Sequence, residues 1–154
     1  MTTSYEPGQS IQDRFFTDVP CFGCGPLNAK GLQLKSFPIG EDTVRATFRP
    51  WPEHDNGLGY LNGGIIATVL DCHSAAAVMV TAVQRGLAPD GTLQYVTAGI
   101  DVRYRRPSPL REPVELLARL VSADEDEITV EAELWWQEKV RAGARSTWKR
   151  WRPR

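Results

Sequence analysis

The sequence predicts an α+β fold, in which one antiparallel sheet of five to six strands wraps around one long central helix. Two short segments of alternating apolar and polar residues come first, one long apolar segment follows, and further alternating segments complete the chain. Alternation is typical of half-buried strands, while a long apolar run indicates a buried helix. Strands before and after a single helix favour the α+β architecture, and the length of 154 residues indicates one domain.

Each element can be placed in order along the chain. Residues 1–20 are expected to form a loosely structured lead-in, and residues 21–154 a single folded domain. The acidic run at 124–127 separates two regularly alternating segments and is typical of a solvated hairpin tip. The predicted elements are strands at 32–37 and 44–48, a loop at 50–59, the helix ending near residue 84, and strands at 93–106, 114–123, 128–137 and 142–151.

Composition argues against several classes of function. The net charge of −1 gives no reason to expect a nucleic acid or a membrane as partner. The first ten residues contain neither a basic nor an apolar signal region, and Asp71 and His73 interrupt the apolar run, which argues against a membrane span. Three cysteines, an odd number, do not suggest a disulfide framework. We therefore expect a cytoplasmic protein.

Asp71 is the most informative residue because it is the only carboxylate in the long apolar segment. The helical neighbours three and four positions away are three small residues and a threonine, so no cation on the same helix can pair with it. A buried carboxylate without a partner is costly, and burial raises its pKa and makes it a stronger base. Asp71 is therefore a candidate general base; the alternative is a structural carboxylate held by distant amides or an arginine.

The residues just before the apolar segment have the features of an anion-binding helix start. Asn62 is a good N-cap, and Gly63 and Gly64 leave the first amides of the helix open to an approaching group. A helix N-terminus carries about half a positive charge and several unpaired N–H groups, which can hold a developing oxyanion. Taken alone, Asn-Gly-Gly is explained as well by a plain helix start or a turn.

One helix cannot bring its own start and Asp71 to the same small group. Eight residues separate Gly63 from Asp71, and eight residues of helix correspond to about 12 Å of rise. Two antiparallel helices from two subunits could bring both features to one carbonyl. The spacing therefore favours a site that is shared between two copies of the chain.

Residues 54–71 resemble the motif of hotdog-fold acyl-CoA thioesterases of the phenylacetic-acid-pathway (PaaI) type. In that family an Asn is followed six residues later by His-Gly-Gly, and an Asp comes nine residues after the His. The residues that fall in register here are Asn56, Gly63, Gly64 and Asp71.

Two further segments agree with this resemblance, and one position departs from it. Residues 97–107 look like the family's following strand, which often opens with Ser or Thr, and residues 21–32 look like the lead-in of many relatives. The likeness spans about residues 20–150. The departure is Asn62, where the family usually has His; Asn can cap a helix and donate a hydrogen bond, but it does not titrate near neutral pH.

The resemblance implies a homodimer or a dimer of dimers that hydrolyses acyl-CoA between subunits, and we expect no cofactor and no metal. Asp71 would be the general base that activates water, or alternatively the nucleophile. Thr97 would position that water, while the Gly63 amide of the other subunit polarises the thioester carbonyl with help from Asn56. The predicted substrate-binding residues are Asn62, Gly64, Arg103, Arg105 and Arg106.

Other motifs point to other chemistry. Cys21 and Cys24 form a CxxC that could begin a zinc or redox site, but no second CxxC follows, so reduced structural thiols are the favoured interpretation. Cys72 and His73 are sequence neighbours that point about 100° apart on a helix, a poor nucleophile–base pair, and His73 is better explained as a core histidine. Ala76 stands where hotdog hydratases carry His, which disfavours hydration chemistry.

Two basic groups could bind the phosphates of CoA. Arg103, Arg105 and Arg106 lie at one strand end, and guanidinium groups bind phosphate bidentately; a strand edge protected by charge is an equal alternative. For the basic residues near the C-terminus, a strand edge protected by charge is the favoured explanation.

Two other functions stay open. One is acyl-CoA binding without catalysis, in which Asn62 in place of His marks the loss of activity. The other is hydrolysis of a thioester carried by acyl carrier protein.

Overall fold

The structure, a computed structural model, describes residues 8–152. The elements are helices α1 (Ile11–Phe15) and α2 (Gly63–Gln84) and strands β1 (Ser36–Pro38), β2 (Thr43–Phe48), β3 (Tyr95–Tyr104), β4 (Val114–Ala123), β5 (Glu127–Trp136) and β6 (Lys139–Arg150). The strands form one antiparallel sheet in the order β1-β2-β4-β5-β6-β3. Helix α2 packs against all six strands, which confirms the predicted fold.

Helix α2 forms the core of the domain because its residues are small or apolar on nearly every side. Its side chains are buried from Val69 to Ala82, with the exception of the half-buried Asp71. Among the described residues it is the one helix long and apolar enough to cross a membrane, but 78% of its apolar window is buried inside the fold. Its apolar character is therefore explained by contact with the sheet.

The lead-in that was predicted to be loosely structured carries a short helix at residues 11–15, which corrects that expectation. A serine hydroxyl caps the helix, and Ile11 and Gln12 are completely buried. The side-chain oxygen of Gln12 accepts a hydrogen bond from the Ser36 amide at 2.8 Å, which ties α1 to β1. Five residues are too few for a periodic pattern, so the sequence does not indicate this helix. Residues 1–7 of the lead-in lie outside the described part of the chain.

The first predicted strand, at residues 32–37, is replaced by a loop and by the short strand Ser36–Pro38. Gln33 has a left-handed backbone with φ of 56°, and its side chain donates hydrogen bonds to three loop carbonyls. Leu32 and Leu34 are nevertheless buried. The alternation in the sequence therefore reflects burial along a loop and not a strand.

Strand β6 begins at Lys139, earlier than the predicted residue 142, because a two-residue turn joins it to β5. Gln137 and Glu138 form this turn with φ values of 50° and 59°. A two-residue hairpin needs this left-handed backbone, for which Asn and Gly are the usual residues. Because Gln and Glu are uncommon there, the sequence gives no signal that β6 starts at Lys139.

Strand β3 forms an edge of the sheet and positions the candidate site. It pairs with β6 on one side only, and all its residues are exposed except the buried Tyr95 and the half-buried Val102. Val96, Ile100 and Tyr104 expose 45%, 38% and 54% of their surface. An edge strand with exposed apolar side chains is a surface onto which another strand can pair.

Candidate active site

Asp71 borders a pocket of about 740 Å³. Thr97 of β3 donates a hydrogen bond from its hydroxyl to Asp71 Oδ1 at 2.8 Å, and a β-bulge follows between Thr97 and Gly99. The structure therefore brings together two of the predicted catalytic residues. Much of the pocket wall is apolar, formed by Phe15, Phe16, Val19, Leu93, Tyr95 and Trp148.

The surroundings of Asp71 favour its neutral form and so make its carboxylate a stronger base. Desolvation raises the pKa of the carboxyl group above its ordinary value, the hydrogen bond from Thr97 opposes the rise, and the nearby Cys21 adds to it. Among residues 8–152, no lysine, arginine or histidine forms an ion pair with Asp71. A half-buried acid with one neutral donor and an open pocket can accept a proton from a bound water.

The start of α2 presents one open amide, not the open pair that the two glycines predicted. The side-chain oxygen of Asn62 accepts hydrogen bonds from the amides of Gly64 at 2.8 Å and Ile65 at 3.2 Å. The Gly64 amide is therefore occupied by the cap, which corrects the expectation that it is open to substrate. The Gly63 amide has no acceptor within residues 8–152 and is the donor that a carbonyl could use.

Gly63 lies in a second pocket, at the other end of β3. Asn56, Tyr104, Arg105 and Arg106 also line this pocket. The Tyr104 hydroxyl donates to the carbonyl oxygen of Gly63 at 2.7 Å, which holds the start of α2 against β3. The side-chain oxygen of Asn56 accepts from two loop amides, so its NH₂ group is left to act as a donor.

The four predicted catalytic residues fall into two groups within one chain. Asp71 and Thr97 border the first pocket, whereas Asn56 and Gly63 border the second, and no residue lines both. Strand β3 connects the two places, with Thr97 near its beginning and Tyr104 at its end. One chain alone therefore does not bring the four residues together.

The three arginines predicted to bind substrate do not form one cluster. Arg103 pairs with Asp101 at 2.9 Å and lies in a shallow groove on the outer face of the sheet. Arg105 borders both that groove and the pocket at Gly63, while Arg106 lines the pocket alone. Arg105 and Arg106 are the two that lie near a predicted catalytic residue.

The basic side chains near the C-terminus are largely paired with acids. Strand β6, which carries most of them, lies between β5 and β3, so the prediction that they protect a strand edge is wrong. These pairs are exposed, so each contributes little to stability. A phosphate or an acidic protein surface would have to compete with the carboxylates already present. Arg154 lies outside the described residues. The pairs are Arg145–Glu131, Lys149–Glu127 and Arg152–Asp126.

Three thiols lie beside Asp71, a feature that the sequence-based reasoning missed. Cys21 and Cys24 meet Cys72 of α2, and the three sulfur atoms all lie within 4.8 Å of one another. Hydrogen bonds from Cys24 and Cys72 lower the pKa of Cys21, while the pKa values of these two donors are raised. Cys24 and Cys72 are 48 residues apart, so no local motif could have indicated the third member.

Both histidines have structural partners in this fold. His73 is fully buried, with Nδ1 2.8 Å from the Ser36 hydroxyl and Nε2 3.0 Å from the Val44 carbonyl oxygen, and burial lowers its pKa to about 4. The Nδ1 of His54 accepts from the Trp51 amide at 3.0 Å, and the two rings stack. Neither histidine lines either of the two pockets. The interpretation of His73 as a satisfied core histidine is confirmed.

One antiparallel sheet of six strands wrapped around one long helix defines a hotdog domain. A sequence model described as the thioesterase superfamily matches residues 58–142, just over half of the chain. The chain therefore belongs to the thioesterase superfamily. A comparison with curated protein sequences returns no match.

Solved structures agree with this assignment. A thioesterase superfamily protein from Shewanella loihica is 26% identical, with a TM-score of 0.61 over 77% of this chain and 91% of that chain. The E. coli PaaI protein from the phenylacetic acid degradation operon is 19% identical, with a TM-score of 0.66 over 79% and 82%. A further thioesterase superfamily protein is 27% identical, with a TM-score of 0.62 over 80% of this chain, which spans 59% of that longer chain. The resemblance to PaaI-type hotdog thioesterases is confirmed.

Proposed function

We propose that this protein hydrolyses acyl-CoA thioesters to a free acid and CoA at a site shared by two copies of the chain. The observation that carries the proposal is the 2.8 Å hydrogen bond from Thr97 to the half-buried Asp71 at the edge of an apolar pocket. Such a pocket suits an acyl chain, with the reacting carbonyl beside the carboxylate. Membership of the thioesterase superfamily supports a thioester as the substrate class.

Asp71 acts as the general base in this proposal. A water molecule held between Asp71 and the thioester attacks the carbonyl carbon as its proton passes to the carboxylate. The tetrahedral intermediate then collapses, the carbon–sulfur bond breaks, and the CoA thiolate takes up the proton from Asp71. Thr97 holds one carboxylate oxygen, which leaves the other oxygen for the water.

The oxyanion of the intermediate is bound by the start of α2 from the second copy. The Gly63 amide of the partner subunit has the free donor that this step needs, and the side-chain NH₂ of the partner's Asn56 assists. In the same pocket, the guanidinium groups of Arg105 and Arg106 are available for the CoA phosphates. These roles are supported by the division of the site into two pockets within one chain.

The exposed edge of β3 supports a dimer as the active unit. Thr97 and Tyr104 lie toward opposite ends of this strand, so antiparallel pairing of β3 with its copy would set the Asp71 pocket of one chain opposite the Gly63 pocket of the other. Val96 and Ile100 would be covered by the same pairing.

The three free cysteines favour a reducing compartment. We therefore place the activity in the cytoplasm. The paired basic residues of β6 give an acidic carrier protein little to bind, which supports free acyl-CoA as the substrate.

Thiol release from a panel of aliphatic and aromatic acyl-CoAs tests the proposal. We expect saturable release by the purified protein, faster than release from the same acyl groups on acyl carrier protein. Tight binding of acyl-CoA without thiol release would contradict hydrolysis and assign the chain a binding role. Preference for the carrier-linked substrate would retain thioester hydrolysis but overturn acyl-CoA as the carrier.

A further inference from the structure

The three thiols beside Asp71 have the spacing of a metal site. The sulfur atoms of Cys21 and Cys72 are 3.7 Å apart, and Cys24 completes a group whose sulfurs all lie within 4.8 Å. In tetrahedral zinc–thiolate sites the Zn–S bond is about 2.3 Å, so neighbouring sulfurs are ~3.8 Å apart. One ion at the centre of the three sulfurs would require only small side-chain shifts.

The loop that carries two of the thiols is held tightly around them. The Gly25 amide donates to the Cys21 carbonyl oxygen at 2.8 Å, and the Leu34 amide donates to the Gly23 carbonyl oxygen at 3.1 Å. A Cβ at Gly25 would lie 2.2 Å from the Cys21 amide nitrogen. These close backbone contacts hold the loop, and with it Cys21 and Cys24, in place beside α2.

The loop and the helix also fit closely where Cys72 joins the group. A Cβ at Gly23 would lie 2.2 Å from the Cys72 sulfur, so only glycine lets the loop backbone approach α2 at this point. The group is therefore assembled from two distant segments, and a bound ion would link the loop to the helix that carries Asp71. All three cysteines border the Asp71 pocket.

From this geometry we infer that Cys21, Cys24 and Cys72 bind a soft divalent metal ion, with Zn²⁺ as the natural candidate. Three thiolates fill three positions of a tetrahedron, and a water molecule would complete it. The site is separate from the hydrolysis proposed above. It would anchor one wall of the pocket and would be detectable whether or not the protein hydrolyses thioesters.

Cobalt substitution tests the site directly, because Co²⁺ bound to thiolates absorbs in the near ultraviolet and Zn²⁺ does not. The full chain, reduced with a phosphine and freed of metal, is titrated with Co²⁺ and then with Zn²⁺. We expect one Co²⁺ per chain with a sulfur-to-cobalt charge-transfer band, and loss of the band on addition of one equivalent of Zn²⁺. Zn²⁺ should also raise Tm, whereas Mg²⁺, which prefers oxygen ligands, should not.

Serine variants identify the ligands, because a serine keeps the size of the side chain but binds soft metals poorly. Cys24→Ser and Cys72→Ser should each lose the charge-transfer band at the same Co²⁺ concentration, with far-ultraviolet circular dichroism confirming that at least one of them is folded. His54→Gln is the matched control, since His54 lies outside the group and its loss should leave the band unchanged. Absence of the band in reduced, folded wild-type protein would overturn the site, as would a band that survives in Cys24→Ser.

Discussion

Helix α2 presents two places of opposite character to its surroundings. At its start, Asn62 and Gly63 are only partly covered, and the Gly63 amide is an open hydrogen-bond donor. Eight residues later, Asp71 is half-buried beside an apolar pocket, where desolvation raises its pKa. The start of α2 can stabilise negative charge, and Asp71 can accept a proton. The proposed hydrolysis needs both, because water must lose a proton and the carbonyl oxygen must gain negative charge.

Because these two regions are separate within one chain, the proposed hydrolysis requires a second copy of the chain. A straight helix holds its start and Asp71 apart, and each opens onto its own pocket. The exposed edge of β3 runs between them and is the surface on which a second copy could pair. Single substitutions can alter one of these two regions while leaving the other intact.

The largest effect is expected when the base is removed. Asp71→Asn keeps the size of the side chain but cannot accept a proton from water, so kcat for thiol release should fall by roughly 10²–10⁴. Binding of a non-hydrolysable acyl-CoA analogue should change far less. An inactive variant that also dissociates or unfolds would instead indicate that Asp71 has a structural partner.

The same variant makes a prediction about stability. Because the folded pKa of Asp71 lies above its unfolded value, the folded state binds the proton more tightly, and the wild-type protein loses stability as pH rises through the interval between the two values. Asp71→Asn lacks this loss, so its Tm near neutral pH should equal or exceed that of the wild type. A lower Tm at neutral pH would contradict the absence of an ion-pair partner.

Removing the oxyanion donor should have the next largest effect. Gly63→Pro deletes the amide hydrogen at the first position of α2, where proline is well tolerated, and Asn62 before it already has the extended backbone (φ −60°, ψ 135°) that proline requires. We expect kcat to fall by about 10²–10³. Gly63→Ala keeps the amide and is the matched control. A Cβ there would make ordinary contacts of 3.5 Å with Tyr104, and equal losses in both variants would argue against the amide.

A smaller and more specific effect is expected at Thr97, which donates a hydrogen bond to the proposed base, Asp71. Thr97→Val removes the hydrogen bond that lowers the pKa of Asp71, so the acid limb of the pH profile of kcat/KM should shift to higher pH. Thr97→Ser keeps the hydroxyl and should leave the limb near its wild-type position. A shift of the limb to lower pH in the valine variant would refute Asp71 as the titrating base.

The smallest effect is expected at the position that departs from the family motif. Asn62→His restores the residue that PaaI-type relatives usually have, so turnover should hold or rise. Its cost is the loss of the cap on the Gly64 and Ile65 amides, worth about 1 kcal/mol in a typical helix. Tm should therefore fall while the rate of thiol release holds or rises. A large loss of activity with normal folding would assign Asn62 a role of its own.

Much of the fold could be predicted from the sequence, because periodic burial leaves a pattern along each long element. The helix and the longer strands were found in this way, whereas α1 was too short and the Gln137–Glu138 turn lacked its usual residues. The candidate site was predicted in part. Motif spacing indicated Asp71, but the occupied Gly64 amide and the third thiol, Cys72, depend on contacts that no local pattern records.

The claim that one site is built from two chains can be tested by making a mixed dimer. Asp71→Asn and Gly63→Pro chains carrying different tags are expressed together, and the dimer with one chain of each kind is purified through both tags. One of its two sites then combines the intact Asp71 of one chain with the intact Gly63 of the other, so we expect about half of the wild-type kcat per dimer. If each chain builds its own site, every site carries a defect, and the mixed dimer will be as inactive as the two variants alone.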